Sequence, residues 1–264
     1  MDTLLSKLTN LAYELFGVIL PGMLAAVLLG LLWSALGPTV ELWSFSYVPT
    51  LSTGTLNAIS TWPDSSQVAI ASCLVVALYF LGHALNWVSR GRPSTSGVPP
   101  ERWKRILLVL RFQFPKPQSS FDNSLSRLFA ASAAKLSPDS TPLTWREFYP
   151  VAKAMINQNL KYSLVATYQN KYTLHRTITA ASAALFWLSL LSLIAGVITR
   201  IIVGAHASPN WLLLLVLLVA SLGAMSGFSS SYLYTWTLFG DSIVTESYLV
   251  LFGPKPPPEP EDKS

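Results

Sequence analysis

Charge is what this sequence has least of. Only 12% of its 264 residues are Asp, Glu, Lys or Arg, and 51% are hydrophobic, whereas a soluble domain carries about 25% charged residues. Mean hydropathy is +0.44. That balance argues against a water-soluble fold and for a multi-pass membrane protein. Cysteine is nearly missing too: Cys73 is the only one, which excludes a disulfide framework and any CxxC metal or redox pair. Histidine occurs only at 83, 175 and 206, and the topology derived below puts His206 on the opposite membrane face from the other two, so no metal site is expected. Neither GxxxxGK[ST] nor GxGxxG occurs, so the phosphate-cradling loops of nucleotide enzymes are absent. No cofactor is expected. Internal repeats and broken, charge-bearing helices, the marks of secondary transporters, are not evident either.

What is present is a set of apolar blocks of roughly 20 residues or more, the length that crosses a ~30 Å hydrocarbon core at ~1.5 Å per residue. The sequence predicts an all-α fold, a four-span transmembrane bundle with a helical layer between spans two and three. Residues 1–36 hold an N-terminal segment and the first span, FGVILPGMLAAVLLGLLWSAL, too long for a signal-peptide core. An outer loop follows at 37–67, the second span at 68–89, and a basic helical region at 90–176. The third span is 177–203, a short turn is 204–210, and the fourth span is 211–239. Residues 240–264 form a helix and a Pro-rich tail, PKPPPEPEDKS, with nothing to bury. Gly22, Ala26 and Gly30 in the first span, and Gly223, Gly227 and Ser231 in the fourth, form small-residue rows that read as packing faces and favour a homo-oligomer.

Orientation follows from the cations. Residues 90–176 hold fourteen of the eighteen Lys and Arg against four acids, a net of +10, while 37–67 has none. The positive-inside rule places 90–176 in the cytoplasm and, with four spans, both termini beside it, in a cell membrane that would be the inner one in a bacterium. In the outer loop Trp43, Tyr47 and Trp62 fit the headgroup belt.

Within the basic region, ERWKRILLVLRF places Trp103, Ile106, Leu107 and Leu110 on one helical face. Arg102, Lys104, Arg105 and Arg111 surround it, with Arg90 and Arg92 just upstream. Such a helix lies on anionic lipid headgroups; no recognition motif accompanies the charge, so nucleic acid is not the expected partner. Asp122 to Leu136 reads as a second helix. Thr144 to Glu147 is the T-x-x-E capping box that starts a third. From Val151 no breaker appears before Gly196, so one helix is expected to run through the cytoplasm into the third span, with Met155, Ile156, Leu160, Leu164, Tyr168 and Tyr172 as its stripe.

Tyr79, His83, Asn86 and Arg90 recur at steps of four, three and four along the second span, one helical face. His83 lies seven residues before Arg90, roughly 10 Å deep at ~1.5 Å per residue. An interhelical hydrogen bond is the default expectation for it, and a proton or substrate path the sharper one. At the same level topology places Tyr172, His175, Arg176 and Thr179 on the third span and Ser229, Ser230, Ser231 and Tyr232 on the fourth, with Asp241 just below. His175 and Arg176 sit where polar residues meet lipid phosphate. GFSS, Gly227 to Ser230, resembles the G-x-S motif of rhomboid-type intramembrane proteases over those positions alone. The six-span core and the late catalytic histidine that the resemblance implies are lacking, so a Ser-rich helix end is preferred.

These features point to a non-enzymatic membrane effector or scaffold, in one version a regulated oligomeric pore controlled by a cytoplasmic protein partner. The competing expectation is a transporter or intramembrane enzyme using the polar cluster around His83.

Overall fold

A computed structural model describes residues 14–43, 64–90, 101–114, 121–137, 141–160, 163–203 and 209–253. Among these the regular structure is helical, with no strand. After a π-helical turn at Leu15–Ile19 come α1 (Leu20–Trp43), α2 (Asp64–Ser89), α3 (Arg102–Leu110), a 3-10 turn at Asn123–Leu125, α4 (Ser126–Leu136), α5 (Trp145–Asn159), α6 (Leu164–Val203) and α7 (Trp211–Phe252). Four of them, α1, α2, α6 and α7, are long and apolar enough to cross a membrane. Tyr47, Trp62, Arg92, His206 and the Pro-rich tail lie outside the described residues.

The four long helices wear their apolar side chains outward. Val68, Phe80, Ile201, Ile202, Leu212 and Val219 are all exposed, while Ser182, Ser189, Thr199, Ser221 and Ser229 are buried between helices. Water would not tolerate that inversion over so large an area, and lipid favours it.

Pro21 shapes the first helix. It lacks an amide hydrogen, and its ring collides with the carbonyl four residues back. The chain responds by widening into the π turn, where the Leu20 N–H reaches the Leu15 carbonyl. At this turn α1 crosses α2 in backbone contact: a Cβ on Gly22 would strike the Leu78 carbonyl, and one on Gly82 the Val18 carbonyl. Of the row expected to pack, Gly22 does so at this crossing, but Gly30 faces open space. The row on α7 behaves like Gly30, since Gly223 and Gly227 also meet nothing within contact range. Met225, Ser229 and Tyr232 are the buried residues there. They lie about 200° round the helix from the glycines at ~100° per residue, so the face that meets α6 is not the small-residue face.

At the far end, the Asn210 N–H donates to the Ala35 carbonyl at 2.9 Å, and the Asn210 side chain caps α7 by accepting from the Leu213 N–H at 3.1 Å. Leu32 and Ala35 pack there with Leu185, Leu214 and Leu217.

The other end carries α3 to α5. The capping box forms: the Glu147 carboxylate accepts from the Thr144 N–H at 2.9 Å and from its hydroxyl at 2.7 Å. These bonds hold the Glu147 carboxyl below the usual range. Phe148, Ala152 and Ile156 of α5 bury against Ala133 of α4, Val165 of α6, and Phe239 and Ile243 of α7.

The expected continuous helix from Val151 into the third span does not occur. α5 stops at Asn159, Leu160 is extended at φ −113° and ψ 119°, and α6 starts afresh at Leu164. The reason lies on another helix. Glu246, only 8% exposed, accepts from the Ser163 hydroxyl and from the Leu164 N–H, both at 2.7 Å. A carboxylate at a helix start satisfies orphan amides and the positive end of the dipole.

α3 also departs from its expected orientation. Val109 is buried with Ile106 and Leu110 beside it, against Ala180, Ala183 and Met225. Trp103 and Leu107, expected on that same face, are exposed. The Trp187 indole N–H donates to the Leu110 carbonyl at 2.9 Å, and Phe112, at φ 53°, ends the helix in a left-handed conformation.

Candidate functional site

Only part of the α2 stripe faces the bundle. Asn86 and Ser89 are 2% and 1% exposed, and both point at Arg176 of α6. The guanidinium donates through Nη2 to Asn86 Oδ1 at 3.0 Å, through Nε to Ser89 Oγ at 3.1 Å, and through Nη1 to the Tyr172 hydroxyl at 2.9 Å. It also lies 4.9 Å from the centre of the Tyr172 ring. Tyr172 in turn packs on Tyr232 and Trp236 of α7, with ring centres 5.2 and 4.9 Å apart. One arginine therefore joins α2 to the α6–α7 pair.

The electrostatics of this clasp are unusual. An arginine stays protonated in proteins, and its three acceptors here are all neutral. Among the described residues no carboxylate lies within ion-pair distance of it. The positive charge is distributed over dipoles and an aromatic face, and is not cancelled. Arg176 thus makes protein contacts where lipid phosphate was expected.

His83 and Tyr79 stand apart from the clasp. The His83 ring meets Tyr79 edge-on at 4.3 Å, and its Nε2 is 3.7 Å from Glu14 Oε2. That distance is beyond a hydrogen bond, so the contact acts only as an ion pair when the ring is protonated. His83 thus turns toward the N-terminal side of the first helix. Arg90 is exposed one residue past the clasp.

The remaining candidates divide by location. His175 Nδ1 lies 3.5 Å from the Thr235 hydroxyl, at the limit of a hydrogen bond, with its ring beside Phe228. The Ser229 and Ser230 hydroxyls donate to the Ser226 carbonyl at 3.2 and 3.0 Å, so GFSS serves its own helix. Asp241 is not part of the polar cluster: its Oδ1 accepts from the Asp122 N–H at 2.7 Å and fixes the start of α4. Asp122 accepts from the Ser124 N–H at 2.8 Å, which holds its carboxyl below the usual range. No group of three potential metal ligands forms among the described residues.

Two contributors escaped the sequence reading. Ser89 extends the stripe by one more step of three from Asn86, and that periodicity could have found it. Glu246 is an acid in an otherwise apolar helical run, a signal in itself, but its partner at Ser163 is remote in sequence.

No family model, curated protein or solved structure matches this chain. The class therefore rests on the fold and the clasp: an all-helical protein with four helices able to span a membrane.

Proposed function

We propose that this chain is a non-enzymatic membrane effector or scaffold, in which a cytoplasmic helical layer and the membrane spans are coupled through a shared pair of helices. The supporting observation is α7, 42 residues without a break. At ~1.5 Å per residue it is about 63 Å long, twice a ~30 Å hydrocarbon core. Its first half packs in the bundle of long helices, and Phe239 and Ile243 in its second half form the floor on which α4 and α5 sit. The +10 segment makes this layer the cytoplasmic side, with both termini there. The open row at Gly223 and Gly227 fits self-association, the route to an oligomeric pore.

The test is to move one end and watch the other. In a Cys73→Ser background, spin labels at Val68→Cys and Ile201→Cys would report the distance between the far ends of α2 and α6 in nanodiscs. Antibody fragments selected against the α4–α5 surface should shift that distance distribution. Identical distributions with several independent binders would refute the coupling. A mass measurement in the same nanodiscs reads the oligomeric state.

A further inference from the structure

We infer that α3 is an in-plane lipid anchor, whose uncovered face takes up the anionic headgroups and upper acyl chains of the adjoining leaflet while its other face grips the α6–α7 pair. This deepens the proposed coupling by assigning it a ligand class.

The inference starts from the division of α3 into two apolar faces. Ile106 and Val109 are used against Ala180, Ala183 and Met225. Trp103 and Leu107, four residues apart and so on one side of the helix, remain 58% and 46% exposed. A short helix on a water-exposed surface has no reason to keep a tryptophan and a leucine there.

Depth supplies the second step. Counting back from Val203, a ~30 Å core takes about 20 residues of α6 and ends near residue 184. Trp187 lies just inside that limit, and its indole N–H holds the Leu110 carbonyl. The C-terminal end of α3 is therefore pinned at the edge of the hydrocarbon; lying in that plane, as inferred, the helix sets Trp103 and Leu107 along the headgroup boundary, where an interfacial helix inserts its apolar face by ~5–10 Å.

Charge selects the occupant. Arg102 and Arg111 flank the exposed face and have no ion pair among the described residues. Lys104 pairs with Glu101 at 2.9 Å and lies 5.3 Å from the Trp103 ring. Arg105 Nε is buried without a hydrogen-bond partner. A face combining apolar side chains with uncompensated cations complements an anionic leaflet; a zwitterionic one would match only the apolar part.

Collision EPR on the full chain tests this. A label at Leu107→Cys, in the Cys73→Ser background, is placed in nanodiscs of phosphatidylcholine with or without phosphatidylglycerol, and its contacts with oxygen and with a water-soluble nickel chelate are compared. The expected result is a several-fold higher oxygen-to-nickel ratio with phosphatidylglycerol present. Arg102→Glu/Lys104→Glu/Arg111→Glu should abolish the gain, and Arg102→Lys/Arg111→Lys should retain it. High nickel access in both lipids overturns the inference. So does immersion that ignores both lipid charge and the reversal, as does shielding from both reagents, which would mean a protein covers the face. The readout is the depth of α3, so it can fail while the distance shift between α2 and α6 survives, and the reverse.

Discussion

The two ends of the molecule are held together by different means. Toward the far end the buried contacts combine small or hydroxylated side chains, Ala180, Ala183, Ser189 and Ser221, with the aliphatic Leu185, Leu214, Leu217 and Met225, and no aromatic ring pair joins α6 to α7 there among the described residues. Toward the α4–α5 layer aromatic ring pairs are added to the aliphatic core, within the layer, from it to α7, and between α6 and α7. Phe129 meets Phe148 edge-on at 5.1 Å, Tyr149 meets Phe239 at 5.9 Å, and Tyr172 meets Trp236 at 4.9 Å. With the four long helices in a bilayer, the difference follows from the solvent. Where water surrounds the helices, removing large rings from it drives association. Where lipid does, that gain vanishes, and close approach with a few interhelical hydrogen bonds takes over.

The sharpest way to break the comparison is Phe148→Ala in the aromatic half. It should cost about 3–5 kcal/mol, seen as lost hydrogen-exchange protection in α4 and α5 while amides of α6 beyond Ala180 keep theirs. Equal loss in both halves would erase the distinction. Next is the α1–α2 crossing, where Gly82→Leu must displace the Val18 carbonyl and should cost about 1–3 kcal/mol in a detergent-unfolding assay. Gly30→Ala, with open space around it, should instead stabilise by about 0.5–1 kcal/mol through helix propensity. Of the same order is the polar clasp. A double-mutant cycle of Asn86→Ala and Arg176→Met should return a coupling of about 0.6–1.7 kcal/mol, and additive single effects would remove Arg176 as the link between α2 and α6.

The smallest effect is at the capping box and is read with pH. The folded Glu147 pKa is lowered, chiefly by the bond from the Thr144 hydroxyl. Its contribution to stability is therefore fully present above the unfolded value of about 4.3 and fades as pH falls through the lower folded value. The protection factor of the Thr144 amide, taken relative to its intrinsic exchange rate at each pH, should fall across that acidic window in the wild type and stay flat in Glu147→Gln.

Which parts of this molecule can be read from one sequence depends on whether the determining residues are close together in it. The four long apolar helices and the capping box are set by runs and spacings within a few residues, and they stand as expected. Gly22 was legible as a contact glycine for the same reason. Which of several small-residue rows is used is not a local property, because a helix buries whichever face its neighbour meets; Gly223 and Gly227 lost to Met225 and Ser229. The clasp was half legible. Asn86 and Arg176 were both named at one level of the bundle, but pairing them required knowing that His83 turns toward Glu14. The end of α5 was not legible at all, since residues 151–176 contain no breaker and the group that stops the helix is Glu246.

That corner also has a consequence for the order in which the molecule is made. Ser163 and the carboxylate it donates to are 83 residues apart. A ribosome releases the corner well before it has joined Glu246 to the chain. Until α7 arrives, the Leu164 amide must find another acceptor, and the run from Val151 onward is free to continue as the single helix its residues favour. The bend is thus a late event in the life of the chain, set when the last helix folds back past a segment finished long before.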